Sequence, residues 1–249
     1  VSQAAFLQAE RLTSSHPLRA YRAAAFAPAL PSCTYNTAFR KTLSIRRMND
    51  PLPFLGFTTS PLELISFLLA LITVALNIRQ NHWAWLFSIV SSALYAVVFF
   101  GARLYGDMGL QFVFVAVSVW GWYQWLHGGP AHQTLTVSRL PRWGWAASAL
   151  AWLAGFGAIS LLLKTFTDTD VAYMDGFLTA GSLLGQLLLS RKKLENWHVW
   201  IIVDLLYIGL YVYKGLVLTA VLYAVFVVMA AIGLRTWKKA LLATAASVP

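Results

Sequence analysis

Charge is what this sequence has least of. Only 11% of its 249 residues are Asp, Glu, Lys or Arg, while 59% are hydrophobic and the mean hydropathy is +0.64. A soluble domain carries about 25% charged residues. A surface this poor in charge cannot be wetted, so it must face lipid. There is one cysteine, Cys33, which excludes a disulfide framework and a thiolate cluster for zinc or iron–sulfur. His16, His82, His127, His132 and His198 have no partner at metal-ligand spacing. There is no GxxxxGK(S/T) phosphate loop, and no Ser or Cys sits in a recognised catalytic frame. The last apolar stretch lacks the mid-span lysine that a retinal Schiff base needs. The residues therefore indicate no enzyme, no cofactor and no metal.

Acidic charge is scarcer still, 9 Asp and Glu against 19 Lys and Arg, for a net charge of +10. The distribution argues against a nucleic-acid partner. Residues 1–48 hold Arg11, Arg19, Arg22, Arg40, Lys41, Arg46 and Arg47 against Glu10 alone, which supplies +6 of the +10. The other basic residues flank apolar runs, where they set membrane orientation. The best apolar run of the tail, Ala23 to Leu30, is too short to span and contains Pro28. It has no signal-peptide pattern. Met48-Asn49-Asp50 directly precedes the first long apolar run, so Met48 is read as the natural start, residues 1–47 as non-native or functionally minor, and 1–48 as a basic, non-native or interfacial tail.

What is present is a series of long apolar runs. A bilayer core of about 30 Å needs about 20 mostly apolar helical residues. Seven stretches qualify, near 61–79, 82–100, 106–126, 143–163, 174–190, 197–213 and 216–236. Short connections make neighbouring helices antiparallel, and no proline lies in the interior of a span. With the first helix starting outside, the inner loops and C-terminus collect nine basic residues: Arg79, Arg139, Arg142, Arg191, Lys192, Lys193, Arg235, Lys238 and Lys239. The outer loops hold three: Arg103, Lys164 and Lys214. This excess predicts an N-out, C-in protein of the inner membrane.

Spans two and three resemble spans six and seven. Asn81-x3-Trp85, Phe100-Gly101-x2-Leu104, Gly121 and Trp125 match Asn196-x3-Trp200, Lys214-Gly215-x2-Leu218, Gly233 and Trp237. The separation is 115 residues at the first pair and 112 at the last. The expected fold is an all-α polytopic membrane protein with two three-helix repeats, 49–126 and 166–240. The loop and linker helix, 127–165, joins them, and 241–249 is a C-terminal tail. Four spans separate equivalent helices, so the repeats are parallel, an architecture that holds solutes between its halves.

Polar residues recur at helical spacing within the spans, so each set shares a face. The sixth span carries Asn196, Trp200, Asp204, Tyr207 and Tyr211. The second carries Asn81, Trp85, Ser88, Ser92 and Tyr95, and the third Gln111, Val115, Ser118 and Trp122. The fifth has Asp175, Thr179, Ser182 and Gln186, and the first Ser66, Thr73 and Asn77. Such stripes must turn away from hydrocarbon, where an unsatisfied polar group costs several kcal/mol.

Asp204 is the one carboxylate deep inside a span, with Glu63, Asp107 and Asp175 near ends that water can reach. It is either a counter-charge or hydroxyl acceptor for a solute or a helix-packing residue. Gln111 and Gln186 suit a carboxamide or serve as interhelical glue. Trp85, Trp122 and Trp200 are placed to stack on a flat ring. Trp83, Trp143, Trp145, Trp197 and Trp237 read as interfacial belt.

The runs Trp83-Ala84-Trp85, Leu104-Tyr105-x-Asp107-Met108-Gly109-Leu110-Gln111 and Gly121-Trp122-Tyr123-x-Trp125 resemble the PnuC family of nicotinamide riboside transporters. So do Arg191-Lys192-Lys193-x-Glu195-Asn196-Trp197-x2-Trp200, Val203-Asp204 and Gly209-x-Tyr211-x-Tyr213-Lys214-Gly215. The resemblance covers about 61–239. It implies a SWEET-like three-plus-one-plus-three fold. It also implies facilitated diffusion of nicotinamide riboside by alternating access, with Asn196, Trp200, Asp204, Tyr207 and Gln111 as solute ligands. Relatives that carry thiamine or riboflavin keep the vitamin's identity open. A receptor that binds without transporting is the alternative from another class. The partners expected are the solute and the lipid bilayer, and a homo-oligomer is compatible with the sequence.

Overall fold

The structure is a computed structural model that describes residues 52–54, 57–59, 61–101, 105–166, 171–213 and 217–246. The tail 1–48, and the expectations resting on it, lie outside the described residues. A short antiparallel hairpin, β1 (Leu52–Phe54) with β2 (Phe57–Thr59), precedes the helices. Seven helices follow: α1 (Pro61–Ile78), α2 (Trp83–Gly101), α3 (Tyr105–His127), α4 (Arg142–Phe166), α5 (Ala172–Ser190), α6 (Asn196–Tyr213) and α7 (Val217–Ala246). Pro61 opens α1, where its missing N–H would have no intrahelical partner anyway.

The outward faces are apolar. Leu68, Leu94, Phe112, Val119, Leu150, Leu161, Ile202, Leu205, Val221 and Val228 are all exposed. Among the described residues, Arg142–Phe166 and the Ala220–Thr244 stretch are long and apolar enough to cross a membrane by length and composition. The helix ends agree with the expected spans to within three residues, except that α7 runs ten residues further. At about 1.5 Å per residue its 30 residues are about 45 Å long, beyond a bilayer core of about 30 Å. Arg235, Lys238 and Lys239, which end the apolar run, are helical and exposed there.

Six helices form a closed ring. Helix α2 packs on α1 and α3, α6 packs on α5 and α7, and the two triplets meet where α1 contacts α7 and α3 contacts α5. The first helix of each repeat thus packs on the last helix of the other. Helix α4 lies outside the ring against α5. There Ser160 occupies the space where a Cβ on Gly176 would stand, and the Trp152 indole donates to the Phe177 carbonyl at 2.9 Å. Three helices reverse the chain direction, so one extra helix is needed to start the second repeat in the same sense.

Equivalent contacts recur in the two repeats at a constant separation of 112 residues. Gln80 and Lys192 both have positive φ, 55° and 46°, in the α1–α2 and α5–α6 turns. Gln80 N–H donates to the Asn77 carbonyl and Lys192 N–H to that of Leu189, each at 3.0 Å. The Trp125 indole donates to the Leu189 carbonyl at 3.0 Å, and the Trp237 indole to that of Asn77 at 3.1 Å. Gly121 accommodates the Trp85 ring, and Gly233 the Trp197 ring. Trp85 meets Trp125 edge-on at 5.5 Å, Trp197 meets Trp237 edge-on at 5.4 Å, and Trp125 and Trp237 lie 6.0 Å apart between them.

This corrects the expected register of the second helix in each repeat. Trp85 corresponds to Trp197, not Trp200, and Asn81 corresponds to Lys193, not Asn196. The two Asn-x3-Trp patterns are out of phase by three residues, nearly one helical turn, which residue-type matching cannot resolve. Trp197 and Trp237 are likewise not interfacial: they are 2% and 0% exposed, because each fills the groove that its repeat's glycine or partner helix leaves open. Trp83, Trp143 and Trp145 are exposed, as a belt requires.

The segment after α3 straps the α5–α6 turn. Ser138 pairs with Lys193 in a parallel bridge, with Ser138 N–H donating to the Lys192 carbonyl and Leu194 N–H to that of Ser138. Glu195 accepts from Leu140 N–H at 3.0 Å, and Lys192 Nζ donates to the Leu135 carbonyl at 2.8 Å. The Arg-Lys-Lys-x-Glu run therefore acts largely as a structural fastening.

Candidate solute-binding site

The ring surrounds a partly open cavity of about 30 Å³. One water needs about 10–15 Å³ on that measure, so the space is small. Helix α1 contributes Thr73, Val74 and Asn77, and α2 contributes Ser88. Gln186 and Leu189 come from α5, Trp197, Trp200 and Asp204 from α6, and Phe226 and Ala230 from α7. The α6 stripe folds as its spacing requires: Asn196, Trp200, Asp204, Tyr207 and Tyr211 are all buried.

Polar atoms converge here without protein partners. Both carboxylate oxygens of Asp204 are buried and accept no hydrogen bond within the protein, and the same holds for Asn77 Oδ1. The Trp197 indole N–H, also buried, has no acceptor. A buried carboxylate lacking donors is a costly arrangement that a donor-bearing or cationic guest would relieve. Thr73 and Ser182, by contrast, bond the carbonyls four residues earlier in their own helices.

Of the eleven residues that the polar stripes offer as solute ligands (Asn77, Trp85, Ser88, Gln111, Trp122, Gln186, Asn196, Trp200, Asp204, Tyr207 and Tyr211), Asn77, Ser88, Gln186, Trp200 and Asp204 share the cavity wall. The remaining six lie outside that lining. Asn196 is fully buried at the start of α6, where its Nδ2 donates to the Lys193 carbonyl at 2.6 Å. Gln111 on α3 is fully buried, as is the neighbouring stripe residue Ser118. Trp85 packs between Gly121 and Trp125. Trp122 is half-buried beside His82 and Trp83. Tyr207 and Tyr211 form an aromatic cluster with Tyr223, at centroid distances of 5.0 and 5.3 Å.

Thr73, Val74, Leu189, Trp197, Phe226 and Ala230 line the cavity without having been singled out as ligands. Thr73 lay on the first-span stripe, but the other five are apolar or aromatic, and a polar-stripe criterion passes over them. Asp175, expected within reach of water, is buried at 4% exposure in the first turn of α5. Its position near a helix end did not imply exposure, because α4 covers that end. Among the described residues, no group of His, Cys, Asp and Glu is arranged to hold a metal.

Comparison with known proteins fits this architecture. The riboflavin/roseoflavin transporter RibM of Streptomyces davaonensis is 29% identical over 178 residues, covering 70% of this chain and 83% of its own. The nicotinamide riboside transporter PnuC of Escherichia coli is 23% identical over 211 residues, covering 73% and 87%. A crystal structure of the vitamin B3 transporter PnuC superimposes with a TM-score of 0.54 at 23% identity, covering 71% of this chain and 80% of that one, and shares its polytopic membrane fold. The nicotinamide mononucleotide transporter family model matches residues 60–239. The chain therefore belongs to the nicotinamide mononucleotide transporter family.

Proposed function

We propose that this protein carries nicotinamide riboside into a bacterial cell across the inner membrane by facilitated diffusion. The observation that carries this reading is Asp204, whose two buried oxygens lack donors on a wall shared with Trp200, Asn77 and Gln186. A pyridinium is flat and positive, so it stacks on an indole and is attracted to a carboxylate. A carboxamide needs both donors and acceptors, which Asn77 and Gln186 offer. Ribose hydroxyls suit Ser88 and Thr73. Because the cavity holds only about 30 Å³, a nucleoside enters only when the ring opens, which supports alternating access.

Riboflavin is the second reading, favoured by the 29% identity to RibM. Its isoalloxazine would stack on Trp200 and its ribityl hydroxyls would donate to Asp204. Titration calorimetry of the purified protein with nicotinamide riboside, riboflavin and thiamine separates them. Nicotinamide riboside is expected to bind tightest. Asp204→Asn should weaken it by about tenfold or more, since a hydrogen bond to a charged group contributes about 1.5–3 kcal/mol. Tighter riboflavin binding would move the assignment to the second reading. Nicotinamide riboside affinity unchanged in Asp204→Asn would remove its basis.

A further inference from the structure

Applying the 112-residue correspondence to the cavity exposes an exchange of side-chain size. Trp200 in the second repeat corresponds to Ser88 in the first, and both line the cavity. On the preceding helix of each repeat, Gly185 corresponds to Thr73. A Cβ built on Gly185 would lie 3.0 Å from Trp200 Cε2, 3.2 Å from Nε1 and 3.3 Å from Cζ2. The indole therefore lies against bare α5 backbone, at a place where any side chain would push it toward the cavity. In the first repeat the arrangement is reversed: the small Ser88 faces a helix carrying the larger Thr73, whose hydroxyl is tied to the Leu69 carbonyl at 2.8 Å. The parallel repeats thus flank a lopsided cavity, with an aromatic and carboxyl-bearing wall from Trp200 and Asp204 and a hydroxyl wall from Ser88 and Thr73.

We infer that Gly185 is a positioning residue that sets the depth of the Trp200 indole and thereby directs the solute's flat ring to the second repeat. This rests on the transport reading above. Gly185 touches Trp200 rather than the solute, so its effect must disappear when the ring becomes smaller. Gly185→Ala requires the indole to move by a few tenths of an ångström into a cavity with little spare volume.

The test is a double-mutant cycle over Gly185→Ala and Trp200→Phe, read as KM and maximal rate for nicotinamide riboside in proteoliposomes. Gly185→Ala should raise KM about fivefold with maximal rate nearly unchanged, within the coupling range of contacting residues. In the Trp200→Phe background the same change should have almost no effect. An unchanged KM in Gly185→Ala, or an equal penalty in both backgrounds, overturns the inference. If Gly185→Ala does not yield monodisperse protein, the double variant is expected to restore it, and failure to do so also counts against the role. A solute-free readout keeps this separate from the transport reading. With 5-fluorotryptophan incorporated, the resonance lost in Trp200→Phe should shift in Gly185→Ala. If that shift occurs while the wild type transports none of nicotinamide riboside, riboflavin or thiamine, the positioning contact stands and the transport reading fails. No shift overturns the contact itself.

Discussion

Lys192 sits in the α5–α6 turn, 6% exposed, with its ammonium 4.6 Å from the Trp125 ring centroid and bonded to the Leu135 carbonyl. Burial away from water pushes its pKa down from 10.5 to about 8. The folded pKa lies below the unfolded one, so holding the charge opposes folding. That penalty is present in full below about pH 8 and fades as pH rises from about 8 to 10.5. The thermal midpoint in detergent should therefore rise over this window relative to Lys192→Met, which lacks the titrating group. Parallel pH profiles for the two proteins would refute it. The charge at this position was legible in the sequence as a contribution to membrane orientation. Its burial was not, because the covering strap begins more than fifty residues earlier.

At the scale of elements, helix spans and buried faces followed from apolar runs and from spacings of three and four, while the pairing of helices did not. Gly121 and Gly233 are equivalent positions where a Cβ would come within 2.5 and 2.6 Å of the Trp85 and Trp197 rings. Overpacking of this kind costs about 1–3 kcal/mol. Gly121→Ala and Gly233→Ala should lower the thermal midpoint by similar amounts. They should differ in binding, because Trp197 lines the cavity and Trp85 does not. Calorimetry is expected to show weaker nicotinamide riboside binding in Gly233→Ala and near wild-type binding in Gly121→Ala. Equal losses in both would mean that the cavity responds to the whole bundle rather than to its wall. The strap gives a further prediction: Glu195→Ala frees Leu140 N–H and should increase proteolytic cutting between His132 and Arg142.

At the scale of the whole molecule, the alternating helices bring Arg79, Arg139, Arg142, Arg191, Lys192, Lys193, Arg235, Lys238 and Lys239 to one end of the bundle. We propose that this end faces the cytoplasm. In a Cys33→Ser background, a membrane-impermeant maleimide should label Thr165→Cys in intact cells, and Lys238→Cys only after permeabilisation. The opposite pattern would invert the orientation.

The sequence by itself determined the solvent, the number of helices and the faces they bury, because the bilayer requires long apolar runs and the helix period places residues three and four apart on one side. It also revealed two related halves. Only the tertiary structure decided how those halves correspond. The 112-residue register depends on which backbone carbonyls the Trp125 and Trp237 indoles reach and which rings Gly121 and Gly233 admit. These contacts join residues far apart in the chain, and no local periodicity encodes them. For the same reason Trp197, Phe226 and Ala230 joined the cavity wall, while Asn196 and Gln111 took buried places beside it.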